Sequence, residues 1–309
     1  MIATPPTNII ILLLAMIVIM LLPTLTHADN TEVAELEERA DEGDPDAQFR
    51  LGQLFRKGDV VEKDIVRAFS LVLEAAEKEH VRAQYLIGLM LIRGEGCEVD
   101  EEVGVNFILM AAEDGLPAAQ HAMGKIYMQS VGPQGKDMLS AAYWLKQAAG
   151  NRHVQAQVML GNMLLNGEGI RRNATLAGAY FLAAAKQGSS EAQEVVGQMF
   201  RTGTGFPPDK ASAVTWLVEA CEQGRTEACL ALASMYRGGE GTRGDPAAAL
   251  YYFKKAAEGG SAEGANELGV MYLTGEGTLA NEEASAYWFQ RGTELEEERR
   301  AAEEYNDAR

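Results

Sequence analysis

Residues 83–96 read Ala-Gln-Tyr-Leu-Ile-Gly-Leu-Met-Leu-Ile-Arg-Gly-Glu-Gly, and this stretch decides the fold. Its apolar residues recur at the three- and four-residue spacing of an amphipathic helix, and the Gly-Glu-Gly triplet is typical of a helix-ending turn. The stretch returns in register along the chain, with a small residue every 36 or 37 positions. This central column reads Gly52, Gly88, Gly124, Gly161, Gly197, Ala233 and Gly269. Seven copies at one period indicate a repeat protein.

Each copy also contains a second helix, such as residues 249–257, which ends at Gly259 and Gly260. The three tryptophans of the protein all fall in one column of this second helix. Small residues let the helices approach closely, and large apolar columns fill the space between them. Because one helical hairpin cannot cover its own apolar stripe, consecutive hairpins must stack. The sequence therefore predicts an all-α protein, an α/α solenoid of about seven 36-residue helix-turn-helix repeats.

The repeated pattern resembles the Sel-1-like repeat, a relative of the tetratricopeptide repeat. The pattern is Ala-x-x-x-x-Gly-x-x-Tyr-x-x-Gly-x-Gly, followed by Ala-x-x-Trp-Tyr-x-Lys-Ala-Ala-Glu-x-Gly, and it covers residues 46–293. The resemblance implies a right-handed superhelix. Departures are local: Glu79 and Arg152 replace the usual glycine after the second helix, and Gly264 replaces the alanine that starts the last repeat. Residues 130–133 replace a Gly-x-Gly turn, so we expect an atypical loop there.

The amino end is typical of an export signal. Ile9 to Leu22 is a run without a polar side chain, too short for an ordinary membrane-spanning helix. Pro23 and the sequence Thr-His-Ala at 26–28 follow it, which favours a signal peptide over residues 1–28. No Lys or Arg precedes Arg39, so an uncleaved anchor over residues 9–22 stays open as the alternative, with a buried helix as a third interpretation.

The two ends of the repeat array are expected to be capped. Residues 29–45 match a lone second helix before the first repeat and are predicted to form an amino-terminal capping helix. Residues 294–309 are strongly charged and are predicted to form a carboxyl-terminal capping helix, with Leu295 and Tyr305 as its anchors. An acidic docking tail is the alternative interpretation of that run.

Composition and motifs argue against several functions. The formal net charge is −18, which repels nucleic acid. Three cysteines and four histidines offer little for a disulfide-dense scaffold or a His-rich metal site. The chain contains no Ser-x-x-Lys, His-Glu-x-x-His, Walker or Gly-x-Ser-x-Gly motif. We therefore expect no catalytic residue, no metal site and no cofactor, and we assign the Gly-Glu-Gly triplets to helix-ending turns.

Two of the cysteines occupy repeat columns. Cys221 takes a column otherwise held by alanine, and Cys229 takes a column otherwise held by glutamine. A tight turn joins these columns, and cysteine-rich secreted members of the family place cysteines at this eight-residue step. We predict a Cys221–Cys229 disulfide, with two separate buried thiols as the alternative. Cys97 has no partner in sequence and is either a free thiol or an intermolecular link. Asn173 begins a glycosylation sequon.

First helices of such a solenoid line a concave groove suited to peptides or to helices of another protein. On a helical wheel, the columns three before, one after and four after the central column face away from the core. The candidate groove residues are Phe49, Gln53, Arg56, Tyr85, Leu89, Ile92, His121, Lys125, Met128, Asn162, Gln198, Arg201 and Arg237. Tyr85, Leu89 and Ile92 are the most apolar group and are expected to anchor a partner. The alternative is that these three pack under the neighbouring repeat.

The sequence predicts a non-enzymatic scaffold of an exported compartment, periplasmic or secreted, that binds a protein or peptide in the groove. Control of an envelope complex or a membrane sensor is one role for such a scaffold. The predicted partner is not a nucleic acid, and only the signal or anchor segment would contact a membrane. The family also supplies two alternatives. One is a β-lactam-binding or β-lactam-hydrolysing enzyme, disfavoured by the missing Ser-x-x-Lys; the other is a degradation adaptor in the lumen of the endoplasmic reticulum.

Overall fold

The computed structural model describes residues 31–129 and 137–307, and all regular structure within these two ranges is helical. The chain divides into two compact units, Met1–Lys136 (unit 1) and Asp137–Arg309 (unit 2). Unit 1 contains α1 (described over residues 31–41), α2 (Pro45–Lys57), α3 (Ile65–Glu77), α4 (Val81–Arg93), α5 (Glu101–Glu113) and α6 (Pro117–Gln129). Unit 2 contains α7 (Met138–Gly150), α8 (Val154–Asn166), α9 (Ala174–Ala185), α10 (Ser190–Thr202), α11 (Lys210–Glu222), α12 (Thr226–Gly238), α13 (Pro246–Glu258), α14 (Ala262–Thr274) and α15 (Glu282–Asp307).

Both units are stacks of helical hairpins, which confirms the predicted all-α solenoid. Within a unit, each first helix packs against the second helix that follows it, and that second helix packs against the next first helix. The small columns bring the helices close: a Cβ added at Gly88 would lie 2.6 Å from the carbonyl oxygen of Gly104. Large side chains such as Ile87 and Phe181 fill the remaining space and are 0% exposed. Small and large columns together therefore account for the close packing.

A column of short polar residues starts the second helices. In seven of them an Asp or Asn side chain accepts a hydrogen bond from a backbone N–H of the first turn. These N-cap residues are Asp64, Asp100, Asp137, Asn173, Asp209, Asp245 and Asn281. Such caps contribute about 1 kcal/mol each to helix stability. The Oδ1 atom of Asn173, in the predicted sequon, accepts from the amide of Leu176 at 3.0 Å.

The Gly-Glu-Gly triplets are helix-ending turns, as expected. Gly239 ends α12 in the left-handed conformation, with φ 68°, and Gly241 has φ 73°. A Cβ at Gly241 would collide with the backbone carbonyl of Lys210, so glycine is required there for space as well as for conformation. Glu79 and Arg152, which replace glycine at the ends of two second helices, also adopt the left-handed conformation, each with φ 62°.

A buried glutamine near the start of a first helix ties successive hairpins together. Its Nε2 atom donates to the backbone carbonyl eight residues earlier, at the end of the preceding second helix. The pairs are Gln48 with Ala40 (3.3 Å), Gln120 with Ala112 (3.1 Å), Gln157 with Ala149 (3.2 Å) and Gln193 with Ala185 (3.4 Å). We call this arrangement the glutamine clamp.

The clamp also reaches forward in the sequence, because the glutamine Oε1 accepts from a side chain thirty residues later. Lys78 donates to Gln48 at 3.1 Å, Gln187 to Gln157 at 2.8 Å, and Gln223 to Gln193 at 2.6 Å. Gln84 differs: it is 1% exposed, and its Oε1 atom has no hydrogen-bond donor in the described part of the chain. The residue thirty positions after Gln84 is Asp114, whose carboxylate has no proton to donate.

The carboxyl end differs from the prediction. No boundary separates a last repeat ending at residue 293 from a capping helix over 294–309, because α15 runs unbroken through 26 residues. Leu295 is an anchor, buried at 7% in the core of unit 2, whereas Tyr305 is 59% exposed and is not. The predicted signal peptide, and the atypical loop at 130–133, lie outside the described residues. Among residues 31–129 and 137–307, no helix is long and apolar enough to cross a membrane.

Candidate partner-binding surface

The candidate surface is the exposed side of the first helices, α2, α4 and α6 in unit 1 and α8, α10, α12 and α14 in unit 2. We call it the first-helix face. Columns predicted to point inward are buried, as Ile87 and Met90 show, both 0% exposed. Of the predicted groove residues, Lys125 and Asn162 are exposed. Half-buried positions are Gln53, Arg56, Tyr85, Leu89, Ile92, His121, Met128, Gln198, Arg201 and Arg237. The face is therefore accessible along each unit.

Phe49 does not belong to the exposed part of this face. It is 8% exposed and lies in the core of unit 1, with its ring centroid 4.7 Å from that of His80. His80 is the N-cap of α4, where its Nδ1 atom accepts from the amide of Ala83 at 3.0 Å. The helical wheel directed Phe49 outward because it treats α2 alone, whereas the start of the next repeat covers this side chain.

A cleft of about 450 Å³ lies beside this ring pair, between α2 and the start of α4. Arg50 and Gln53 line it from α2, and Glu79 and Arg82 line it from the start of the next hairpin. The lining carries both signs of charge. Such a polar, open cleft suits a polar segment of a protein partner better than a buried apolar ligand.

The three residues expected to anchor a partner have different surroundings. Tyr85 is about half-buried, and this burial raises the pKa of its phenol. Ile92 packs against the following second helix, since its Cγ1 atom would lie 2.8 Å from a Cβ added at Gly104 of α5. Ile92 thus packs within its own hairpin, and this contact is not the packing under the neighbouring repeat that the alternative interpretation described. Leu89 stands at a column that also holds Gln53 and Lys125, so this column tolerates polar side chains.

Three of the predicted groove arginines hold consecutive repeats together. Each pairs with the glutamate of a Gly-Glu-Gly turn or its equivalent, 39 residues later in the chain. The pairs are Arg56 with Glu95 (2.8 Å), Arg201 with Glu240 (3.5 Å) and Arg237 with Glu276 (2.6 Å). The hydrogen bond from Arg56 keeps the pKa of the Glu95 carboxyl below its ordinary value. Because these guanidinium groups already have carboxylate partners, they are less available to a ligand than the wheel suggested.

The sequence carries a signal for these ion pairs that a single-helix analysis misses. Three repeats have an arginine four residues after the central column. In each case, the turn of the next repeat contains the glutamate that pairs with it. Where that column holds Leu165, the turn of the next repeat holds Thr204 in place of glutamate. Comparing positions 39 residues apart would have revealed the pattern.

Cys221 and Cys229 lie together in the core of unit 2, at 1% and 3% exposure. Their Sγ atoms are 2.09 Å apart, which is disulfide distance. Cys229 occupies the column of the glutamine clamp, and the residue eight positions before it is Cys221. A disulfide would therefore take the place of the hydrogen bond that joins the same two positions in four other repeats. Formation of the bond in the protein stays a prediction.

Cys97 sits in a loop column that holds Val61, Ile170 and Phe206 in three other repeats and threonine, Thr242 and Thr278, in two more. It packs against the core of unit 1, and its Sγ atom donates to the carbonyl of Met90 at 3.8 Å. Burial raises the pKa of this thiol. A raised pKa reduces the thiolate fraction, so Cys97 resembles a small apolar residue more than a reactive thiol.

Histidines and acidic residues of the structure serve local roles. His153 caps α8, where its Nδ1 atom accepts from the amide of Ala156 at 3.3 Å, and burial lowers its pKa. Within the described ranges, no group of three or more His, Cys, Asp or Glu side chains is arranged to hold a metal ion. We derive no catalytic chemistry from these side chains.

Comparison with protein families gives one match, to the model described as Sel1 repeat. It covers seven consecutive segments, residues 45–80, 81–116, 117–153, 154–189, 190–224, 226–261 and 262–296. Comparison with curated proteins gives no match.

Solved structures of similar fold include a protective antigen present in uropathogenic Escherichia coli strains, which displays an SLR fold. The two chains are 27% identical with a TM-score of 0.80, over 85% of this chain and 56% of the antigen. This chain therefore spans little more than half of the antigen's length. A Sel1 repeat protein from Oxalobacter formigenes is 28% identical with a TM-score of 0.65, over 86% of this chain and 76% of that one.

Proposed function

The chain belongs to the Sel1 repeat family, whose members are typically protein-interaction scaffolds, and from this premise we propose that it binds a protein partner through its first-helix face. The proposed partner is a protein or a peptide segment, and the scaffold itself performs no catalysis. One observation carries the proposal. The core columns keep their character from repeat to repeat, whereas the accessible columns beside them change, from Leu89 to Lys125 to Asn162.

Side chains that change from repeat to repeat suit separate contacts with a partner, whereas side chains that pack the repeats together would be expected to stay the same. The first-helix face also offers the open, polar cleft between α2 and α4. Leu89 is the best single anchor, because it is apolar and half-buried at a column that elsewhere holds the polar residues Gln53 and Lys125. Apolar anchors of this type carry much of the binding energy of protein interfaces.

The proposed compartment is an exported one, periplasmic or secreted. The apolar run from Ile9 to Leu22 and the short sequence after it support export, and the predicted Cys221–Cys229 disulfide is compatible with an oxidising compartment. Membrane attachment by residues 9–22 is the competing proposal for the same segment.

The experiment compares partner capture by two matched variants. Leu89→Lys introduces on α4 the residue that Lys125 already places at the same column, so the fold should tolerate it. Met110→Lys makes an equivalent change on the second helix α5, where Met110 is 44% exposed. The wild-type chain is used to capture proteins from the native envelope, and the captured proteins are identified. Each binding partner is then purified and titrated against the wild-type chain and the two variants.

We expect the wild-type chain and Met110→Lys to bind the same purified partner with similar affinity. Leu89→Lys should weaken that binding by about tenfold or more, because it buries a charge at the contact. Circular dichroism should show equal helix content in all three. If Leu89→Lys and the wild type bind equally while Met110→Lys fails, the binding surface is on the second helices and the proposal is wrong.

A further inference from the structure

An apolar cleft opens between the second helices α7 and α9 of unit 2, over the core columns of the first helix α8. Its volume is about 330 Å³. Leu160 and Leu164 of α8 form its floor. Its walls are Leu139 and Tyr143 on α7, which are 71% and 56% exposed, and Leu176 on α9, which is 43% exposed. Large apolar side chains thus face an open space on the surface.

The next junction, between α9 and α11, has the same architecture but is filled. Phe206 in the loop before α11 stacks on Phe200, with ring centroids 4.6 Å apart. Its ring also fits against Gly178, where an added Cβ would lie 2.7 Å from the Phe206 Cζ atom. Ile170 is the equivalent residue, 36 positions earlier, and it lines the open cleft. An aromatic side chain therefore fills a junction of this type where glycine faces it, whereas Ala142, which lines the open cleft, stands at the position equivalent to Gly178.

The surroundings of the cleft are basic although the chain as a whole is acidic. Residues 137–190 contain two acidic residues and five Lys or Arg residues, Lys146, Arg152, Arg171, Arg172 and Lys186. Across the described residues, none of these five cations forms an ion pair. The two acids have other contacts: Asp137 caps α7, and Glu168 accepts from the Nδ2 atom of Asn166 at 3.0 Å.

One of these cations, Lys146, lines the cleft itself. Arg171 is the next residue in sequence after the lining residue Ile170. Unpaired cations at the edge of an apolar cleft complement a ligand that has an apolar side chain flanked by carboxylates. An apolar ligand without charge would leave these cations unused, and a basic ligand would be repelled by them.

We propose that the α7–α9 cleft binds an acidic peptide segment of a protein partner, which inserts an aromatic or large aliphatic side chain between the two helices. Carboxylates of the segment lie beside Lys146 and Arg171. This site is on the second helices and is separate from the first-helix face. It gives the chain a second surface with its own specificity.

The test uses a fluorescein-labelled short peptide with Leu-Phe at its centre and Asp or Glu on both sides, titrated by fluorescence anisotropy. Ile170→Phe installs the residue that fills the neighbouring junction, and the double variant Ala142→Gly/Ile170→Phe also supplies the glycine that faces that ring, so at least the double variant should fill the cleft without unfolding unit 2. Thr242→Phe makes the same type of change two repeats later, away from the cleft, and serves as the matched control. We expect Ile170→Phe to reduce affinity by about tenfold or more and Thr242→Phe to leave it unchanged.

Charge is tested separately. Lys146→Glu should weaken binding, added salt should weaken it further, and the same peptide with Lys in place of Asp and Glu should not bind. Thermal unfolding of all variants checks that the changes are local. The proposal is overturned if no saturable binding occurs up to roughly 1 mM peptide, or if Ile170→Phe and Thr242→Phe bind equally well. It is also overturned if the wild type self-associates in sedimentation and Ile170→Phe abolishes this, because the occupant is then a second copy of the chain.

Discussion

Asp114 stands at the position from which Lys78, Gln187 and Gln223 donate to the buried glutamine thirty residues before them. It cannot donate, and the Gln84 Oε1 atom is left without a donor in the described chain. A buried acceptor without a partner costs about 1–3 kcal/mol. Asp114 also ends α5, where a negative charge opposes the helix dipole at a cost of about 0.3–1 kcal/mol. Asp114→Gln should therefore raise the stability of this region by about 1–3 kcal/mol.

A matched variant separates the two contributions. Asp114→Met has a side chain similar in length to that of the Gln variant, removes the charge and supplies no hydrogen-bond donor. It should therefore gain only the stability that comes from removing the negative charge at the end of the helix. The difference between the Gln and Met variants, about 1–2 kcal/mol, then measures the hydrogen bond to Gln84. Hydrogen exchange of the α4 amides reports this directly, since 1.4 kcal/mol slows exchange from a locally opened state about tenfold.

The reasoning would be refuted if the two Asp114 variants had equal exchange rates. A second comparison guards against an indirect effect. Gln193 has both hydrogen bonds of the clamp, whereas the described chain shows neither for Gln84, so Gln193→Met should destabilise the chain more than Gln84→Met. Equal losses at the two positions would show that the clamp hydrogen bonds have no net value.

Three further predictions follow from the cysteine pair, an ion pair and the amino end. Alkylation of the unreduced, denatured protein should leave Cys221 and Cys229 unlabelled, and labelling of both would exclude the bond. Reduction should lower the free energy of unfolding by about 2.5 kcal/mol, because the bridge closes a short loop and reduces the entropy of the unfolded chain. Because Arg56 lowers the pKa of Glu95, their pair stabilises the protein at neutral pH, and this stabilisation is lost as the pH falls through the lowered pKa. Arg56→Met should remove that part of the acid-unfolding curve, and an unchanged curve would count against the pair. Amino-terminal sequencing of the exported chain should begin directly after Ala28, whereas an intact apolar run would indicate an anchor.

The sequence predicted the hairpins and their core well, because both depend on neighbours in the same helix or the next one. The central column and the helix-ending glycines mark each first helix. Even the exceptions were visible, since Glu79 and Arg152 occupy glycine positions and adopt glycine-like φ values. These features are local, and a fixed repeat period shows them several times over.

Contacts between repeats were harder to predict. A helical wheel does not contain the next hairpin, so it could not show that His80 covers Phe49 or that Arg56 meets Glu95. At the carboxyl end a helix was predicted for residues 294–309, but its continuity with the last repeat was not. A change to charged composition at residue 294 suggested a new element, but Glu, Arg and Ala are strong helix formers and continue α15 without a break.

The glutamine clamp limits how the gene for such a protein can change in length. The glutamine of each clamp is hydrogen-bonded to the residue eight positions earlier and, in three copies, also to the residue thirty positions later. In those copies the clamp joins three successive helices at fixed separations in the sequence. Duplicating or deleting a whole period preserves both counts, whereas adding or removing half a period would leave buried amides without partners. The third repeat has one residue more than the usual 36, yet Gln120 keeps its partner eight residues back. Chimeras built from these repeats should therefore be joined at equivalent positions of two periods.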